Sequence, residues 1–401
     1  MASTDCNCPA CGSDRARDFF TVANIPIHCV LLMRTREEAT SYPRGDLTLA
    51  HCAACGFVWN RRFLAELHEY SPRCEESQAF SGTFNRFARE LADDYLERYS
   101  PRTALEIGCG KGDFLALLCE RGELTGVGID PGLQPERIEP QTRGKVEWIV
   151  DFYSPKYRHL VADLVLCRHT LEHIADVAGF VRSVRQSAPE SAVVSFELPD
   201  LERILIEGAF WDIYYEHCSY FTLGSLARLF RREGFAPIRL EKCFGDQYLI
   251  LDARPAAAPE TAPIQPGESD LDRTAAQVRD FEARVPSVLD AWRAWFRAEH
   301  ARGRRTVLWG SGSKAVAFVT TLPLDEEVLA VTDVNPYRHR MFLPGSGHEI
   351  VPPAELVELR PDNVVVMNPV YVEEIRRDLA SMGLRPTLLA LGTLPPAVDP
   401  A

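Results

Sequence analysis

The chain has 401 residues, enough for two or three domains with cores of their own. Its 57 acidic residues outnumber 44 Lys and Arg, giving a formal net charge of −13, and no long basic run occurs, which argues against nucleic acid as the main partner. No apolar run approaches the roughly 20 residues of a membrane span, and the opening MASTDCNCPACG lacks the basic and apolar stretches of a signal peptide. No membrane partner and a cytoplasmic location are expected.

Residues 1–70 read as a cysteine-rich module. Two knuckles, Cys8-x2-Cys11 and Cys52-x2-Cys55, are each followed by a glycine, Gly12 and Gly56. Four thiolates suit a tetrahedral Zn²⁺ and leave no open coordination position, so the expected metal is structural. The competing reading is two unrelated CxxC pairs. Neither pair opens a helix in a βαβ unit, which disfavours redox work. Cys6 and His51 stand beside the ligands as bystanders.

Residues 71–254 alternate strand-like and helical patterns. TALEIGCGKGDFLALL reads as strand, glycine turn, helix, with Gly108, Gly110 and Gly112 after Glu106. LTGVGIDPG is a second strand ending at Asp130, an acid placed to accept hydrogen bonds from ribose hydroxyls. A third strand is followed by Asp151 and Phe152, and a fourth by His169 and Glu172-His173. This order of parts resembles the class I S-adenosylmethionine-dependent methyltransferase domain. The resemblance implies that Gly108 to Gly112 wrap the methionine part, that Asp130 binds ribose, and that Asp151 and Phe152 flank adenine. Glu106 and His169 are assigned to the same cofactor site, while His173 reads as structural. A dinucleotide-binding oxidoreductase is the alternative; Glu106 and the spacing of the glycines weigh against it. Cys29, Cys109, Cys119, Cys167 and Cys243 read as core thiols. Cys218 is not expected to act as a nucleophile, because transfer from a sulfonium needs no covalent enzyme intermediate.

Residues 255–270 form a linker within the Pro/Ala-rich stretch Ala253 to Asp270. Residues 271–401 hold a helix and a second α/β unit. Val278, Phe281, Val285, Val288, Trp292 and Trp295 make one apolar helical face, which Pro286 is expected to kink or split. Gly310-x-Gly312-x-x-Ala315, with Asp333 ending the next strand, fits a dinucleotide fingerprint. Read alone it suggests NAD.

FWDIYYEHCSYFT, residues 210–222, sets Glu216 and His217 among aromatic rings. With the cysteine module, the methyltransferase motifs and the C-terminal glycine turn, its Y-x-E-H-x-S-Y-F pattern resembles the zinc-containing sugar C-methyltransferase family over almost the whole chain. The expected fold is therefore α/β: a class I methyltransferase Rossmann-like core, an N-terminal four-cysteine zinc-binding module and a second, C-terminal Rossmann-like domain. The expected reaction moves a methyl group from S-adenosylmethionine to carbon of a dTDP-linked ketodeoxysugar. The resemblance implies an active-site trio of Tyr214, Glu216 and His217. His217 would be the base, Glu216 its orienter or a substrate contact, and Tyr214 a donor to the enolate oxygen. It also implies a C-terminal domain that holds a nucleotide sugar, with Ser311, Ser313 and Lys314 near its diphosphate. Tyr215 stands where many members carry His, and Glu76, Ser77, Gln78 and Phe80 border the site in a segment that departs from the sugar enzymes. Gln78, Phe80 and Tyr215 are accordingly substrate candidates. Methyl transfer to oxygen or nitrogen of another natural-product intermediate stays open.

Overall fold

The computed structural model describes residues 7–67, 73–138 and 144–397; Cys6 lies outside the described residues. Strands β1 (Ala16–Pro26), β2 (Arg44–Cys52) and β3 (Val58–Asn60) form an antiparallel meander. The next five strands are β4 (Thr103–Ile107), β5 (Thr125–Ile129), β6 (Val146–Ile149), β7 (Leu164–Arg168) and β8 (Val193–Pro199). They are followed by β9 (Ser219–Tyr220), β10 (Phe235–Cys243) and β11 (Tyr248–Pro255). The central sheet has the order β10-β11-β8-β7-β4-β5-β6, with β11 alone antiparallel to the other six. This is the class I methyltransferase fold. Its middle strands are short and almost wholly buried, as strands covered by helices on both faces must be. The strand order reverses at β4 and β7, where the crevice beyond the strand ends receives ligands in open α/β sheets.

β9 does not join that sheet. It pairs with β3, so the N-terminal meander is completed by two residues of the aromatic Glu-His segment. A third sheet, β12 (Thr306–Trp309), β13 (Ala330–Thr332), β14 (Ile350–Val351), β15 (Asn363–Val366) and β16 (Thr387–Ala390), is wholly parallel in the order β14-β13-β12-β15-β16.

Two expectations are corrected. The helix Leu271–Ala301 continues through Pro286 as a single helix, so the proline does not split it. Pro286 is exposed, so the carbonyl that loses its partner there faces water, while the apolar stripe on the other face stays packed. The stretch from Ala253 is not a free linker. Ala253 to Pro255 finish β11, and the end of the stretch is pinned by Arg231–Glu268 and Arg228–Asp270 ion pairs at 2.8 and 2.7 Å, with Glu268 and Asp270 buried. Phe20 of β1, Trp211, Phe281 and Trp292 of the long helix, and Phe318 beyond β12 belong to one apolar cluster. The N-terminal sheet, the methyltransferase core and the C-terminal domain therefore share a core.

Candidate active site

A cavity of about 780 Å³ lies beyond the carboxyl ends of β4 and β7, roofed by the C-terminal domain. The glycine turn forms one wall. Gly108 has φ +72°, and a Cβ there would stand 1.9 Å from the Thr170 hydroxyl; only glycine lets the backbone pass. Asp130 closes the turn: its carboxylate accepts the Gly110 N–H at 3.0 Å and the Gly132 N–H at 2.6 Å. Burial raises its pKa above the ordinary carboxylate value. Glu106 sits at the floor, its carboxyl pushed by burial to about 8. His169 also lines the cavity, held at φ +49° with its ring 3.2 Å from Glu197. Phe152 lines the mouth. Asp151 does not reach the cavity, because its carboxylate is taken by Lys156 and by the Tyr157 hydroxyl in the following turn.

Tyr214 to His217 form a turn closed by the His217 N–H to the Tyr214 carbonyl at 3.2 Å. That geometry folds residue i+3 back on residue i, and the Tyr214 hydroxyl meets His217 Nε2 at 2.9 Å. His217 is buried; desolvation, reinforced by the neighbouring His173, pushes its pKa down to about 3, so the imidazole is neutral at physiological pH. Tyr214 is held protonated by burial. Glu216 points to the opposite side of the turn. Its carboxylate lies 2.8 Å from His28 Nδ1 and 3.3 Å from the Cys29 N–H. Burial would lower the pKa of His28, but Glu216 overrides it and raises it to about 10. The pair is thus an ion pair carried between the N-terminal module and the cavity wall. Cys218 turns away into the core.

Several residues depart from expectation. His173, read as structural, lines the cavity, and its ring stands edge-on to His217 at 4.8 Å between centroids. Its Nδ1 is 3.1 Å from the Glu216 carbonyl oxygen. Tyr215 leaves the cavity. Adjacent turn residues diverge, and its hydroxyl accepts the Leu64 N–H at 3.0 Å and donates to the Arg62 carbonyl at 3.2 Å inside the N-terminal module. Ser311 is also withdrawn, fully buried, with its N–H and hydroxyl both on the Asp333 carboxylate at 2.7 and 2.6 Å. Ser313 and Lys314 do face the cavity. Ser313 lies 3.4 Å from Glu216, and Lys314 is ion-paired with Asp212. Against a burial effect that would raise it, Lys314 and Arg203 hold the Asp212 carboxylate down to about 2. Gln78 bridges the Tyr248 and Tyr371 hydroxyls across the cleft, and Phe80 packs on Tyr337 at its rim. His28, Asp212 and Arg203 line the cavity and were not singled out from the sequence. His28 meets Glu216 from another sheet and Asp212 meets Lys314 from the C-terminal domain, which no local pattern marks, while Arg203 pairs both with Glu207 in its own helix and with Asp212 across a turn.

Cys8, Cys11, Cys52 and Cys55 converge, with all sulfurs within 4.8 Å of one another and two pairs at 3.6 Å. Zn–S bonds of about 2.3 Å in a tetrahedron require sulfurs roughly 3.8 Å apart. The four-sulfur set is compatible with zinc.

The family profile described as a methyltransferase domain matches residues 84–240, and that of the C-methyltransferase C-terminal domain matches residues 257–386. The C-methyltransferase NovU of Streptomyces niveus is 25% identical over 385 residues, 92% of this chain and 90% of that protein. Among solved structures, a 1,6-didemethyltoxoflavin-N1-methyltransferase of Burkholderia thailandensis with bound S-adenosylhomocysteine is 19% identical, with TM-score 0.34, over 43% of this chain and 77% of its own. The N,N-8-amino-8-demethyl-D-riboflavin dimethyltransferase of Streptomyces davawensis is 20% identical, with TM-score 0.36, over 43% and 56%. With the strand order, the glycine turn and the two matched domains, the chain is an S-adenosylmethionine-dependent methyltransferase related over most of its length to a C-methyltransferase.

Proposed function

We propose that the acceptor is a carbon beside the ketone of a nucleotide-linked sugar, a dTDP ketodeoxysugar, methylated through an enolate. The observation that carries this reading is the Tyr214–His217 pair: a neutral imidazole and a protonated phenol, 2.9 Å apart, facing the cavity that holds the glycine turn. A carbon acid next to a carbonyl needs one group to take its proton and another to receive the charge that develops on oxygen. Acceptors that attack through oxygen or nitrogen also lose a proton but develop no charge on a carbonyl oxygen, so they have use for the base and not for the donor.

His217 takes the α proton on its unprotonated ring nitrogen, and Tyr214 donates to the enolate oxygen. His28 and the Cys29 N–H fix Glu216, which orients the turn and presents its second oxygen toward Ser313 and the acceptor. Gly108, Gly110 and Gly112 wrap the cofactor's methionine part, and Asp130 takes its ribose hydroxyls; Phe152 covers adenine. S-adenosylmethionine supplies an activated sulfonium methyl when bound, so the chain's tasks are positioning and deprotonation. Ser313 and Lys314 lie at the acceptor's diphosphate, with Asp212 and Arg203 setting the position of Lys314. The four cysteines hold a structural zinc ion.

The test is solvent-deuterium incorporation at the sugar's α carbon, with S-adenosylhomocysteine in place of the methyl donor. Exchange with the native enzyme, and its loss in His217→Asn with S-adenosylhomocysteine binding retained, is the expected result. Methyl transfer with no exchange, at a rate His217→Asn leaves unchanged, defeats the carbon-acid mechanism and turns the reading to oxygen or nitrogen.

A further inference from the structure

The cysteine set is not the only cluster of metal-ligating atoms among the described residues. Glu172, His173 and His217 each bring one ligand atom to within 4.8 Å of the others, on the wall of the active-site cavity. Glu172 is 2% exposed, and its Oε2 has no hydrogen-bond partner among the described residues. A buried carboxylate oxygen left in this state costs free energy unless something else meets it. Its other oxygen is 3.4 Å from His169 Nδ1. The two imidazoles are held from outside the cluster as well. His173 is oriented through Nδ1 by the Glu216 carbonyl at 3.1 Å, and His217 through Nε2 by the Tyr214 hydroxyl at 2.9 Å. Each of the three side chains thus has an outer partner that fixes its aim, an arrangement characteristic of metal-binding histidines and carboxylates.

We propose that Glu172, His173 and His217 form a second, exchangeable site for a divalent transition-metal ion in the active-site cavity. Two imidazoles and one carboxylate suit Zn²⁺, Co²⁺ or Ni²⁺ and leave coordination positions open toward the cavity; an all-oxygen ion such as Mg²⁺ has no match in this set. The cavity supplies the entry path that a bindable site requires. Three ligands instead of four, and none a thiolate, make this site weaker and faster to exchange than the cysteine cluster. Metal occupancy engages the lone pair of His217 and excludes it from accepting a proton. Binding stands on the ligand geometry alone; the consequence that a bound metal inhibits methyl transfer rests on His217 acting as the base.

The experiment titrates Co²⁺ into the full chain whose cysteine site is loaded with zinc, following the visible d–d absorption. One Co²⁺ is expected to bind with nitrogen and oxygen ligation, without the thiolate charge-transfer bands that entry into the cysteine site would add. Zn²⁺ should displace it and Mg²⁺ should not. Glu172→Gln and His173→Gln should each weaken binding about tenfold or more, with circular dichroism and S-adenosylhomocysteine binding showing that the variants fold. If one variant fails to fold, the other and the Zn²⁺ competition on the native chain decide. Absence of Co²⁺ binding to the zinc-loaded chain, or binding that both folded variants leave unchanged, overturns the site. Co²⁺ that binds as described while leaving the methyl transfer rate unchanged preserves the site and removes His217 from the role of base.

Discussion

His217 shows how burial rather than sequence neighbours sets a functional side chain. Its pKa of about 3 lies below the ordinary histidine value of 6.5. Between those values the unfolded chain binds a proton that the folded chain refuses. His217 therefore contributes stability that is fully present above 6.5 and is lost as pH falls toward 3. Urea unfolding at pH 7 and pH 5 should show the native chain less stable at pH 5, by a margin that shrinks in His217→Asn; an unchanged margin would mean that the ring is not buried as described. The same depression predicts that the acid limb of kcat/KM lies well below 6.5, so a pH–rate profile with a limb at an ordinary histidine value would count against His217 as a neutral base. His28 runs the other way. Raised to about 10, it contributes stability below 6.5 that is lost as pH rises toward 10.

The turn after β4 is the element whose residue choice is most constrained. Gly108→Ala places a methyl group 1.9 Å from the Thr170 hydroxyl on a backbone with φ +72°. It should abolish S-adenosylhomocysteine binding, measured calorimetrically, while the dTDP binding at the C-terminal domain that the proposed function requires persists. This turn was legible in the sequence because glycine spacing, a following helix and an acid at the next strand end are all local signals. The cysteine knuckles were legible for the same reason. Their convergence adds a prediction: chelation at neutral pH should lower the melting temperature, since β1 and β2 start and end beside the sulfurs and gain their mutual order from them. An unchanged melting temperature after metal analysis confirms complete removal would take zinc out of the fold's stability. The long helix taught the opposite lesson. Pro286 reads as a break, yet one exposed proline leaves the buried stripe from Val278 to Trp295 intact, and packing outweighs a missing hydrogen bond on the wet face.

At the scale of the whole molecule, the three sheets are not independent. Trp292 is fully buried against Phe318 and Phe296, with ring centroids 5.2 and 6.2 Å away, in the cluster that also contains Phe20 and Trp211. Trp292→Ala should cost about 3–5 kcal/mol, and denaturant unfolding should remain one transition rather than separating a C-terminal step. Glu75 makes a second tie. It is buried and takes Arg137 at 2.7 Å from the side of the cofactor wall and Asn335 at 2.9 Å from the C-terminal domain. The two ligand walls of the cavity are thereby joined through one carboxylate.

Local chemistry was enough to name the two glycine turns and each cysteine knuckle, because each depends on residues a few positions apart, whereas the Tyr-x-Glu-His segment was singled out through the family resemblance. The strands followed from apolar runs between those turns, and the class I core from the resemblance carried by their order with the glycine loop and Asp130. Which face each side chain takes was another matter. Tyr215 and Ser311 sit one residue from cavity-facing neighbours and point away, because a turn sends successive side chains to different sides and hydrogen-bond partners from distant strands decide which side is buried. His28, more than 180 residues before Glu216, reaches it only because β9 completes the N-terminal sheet. His173 meets His217 through the packing of a strand end against that same turn. These contacts come from chain closure over long separations, where the free energy of burying the shared core, rather than any local pattern, chooses the partners.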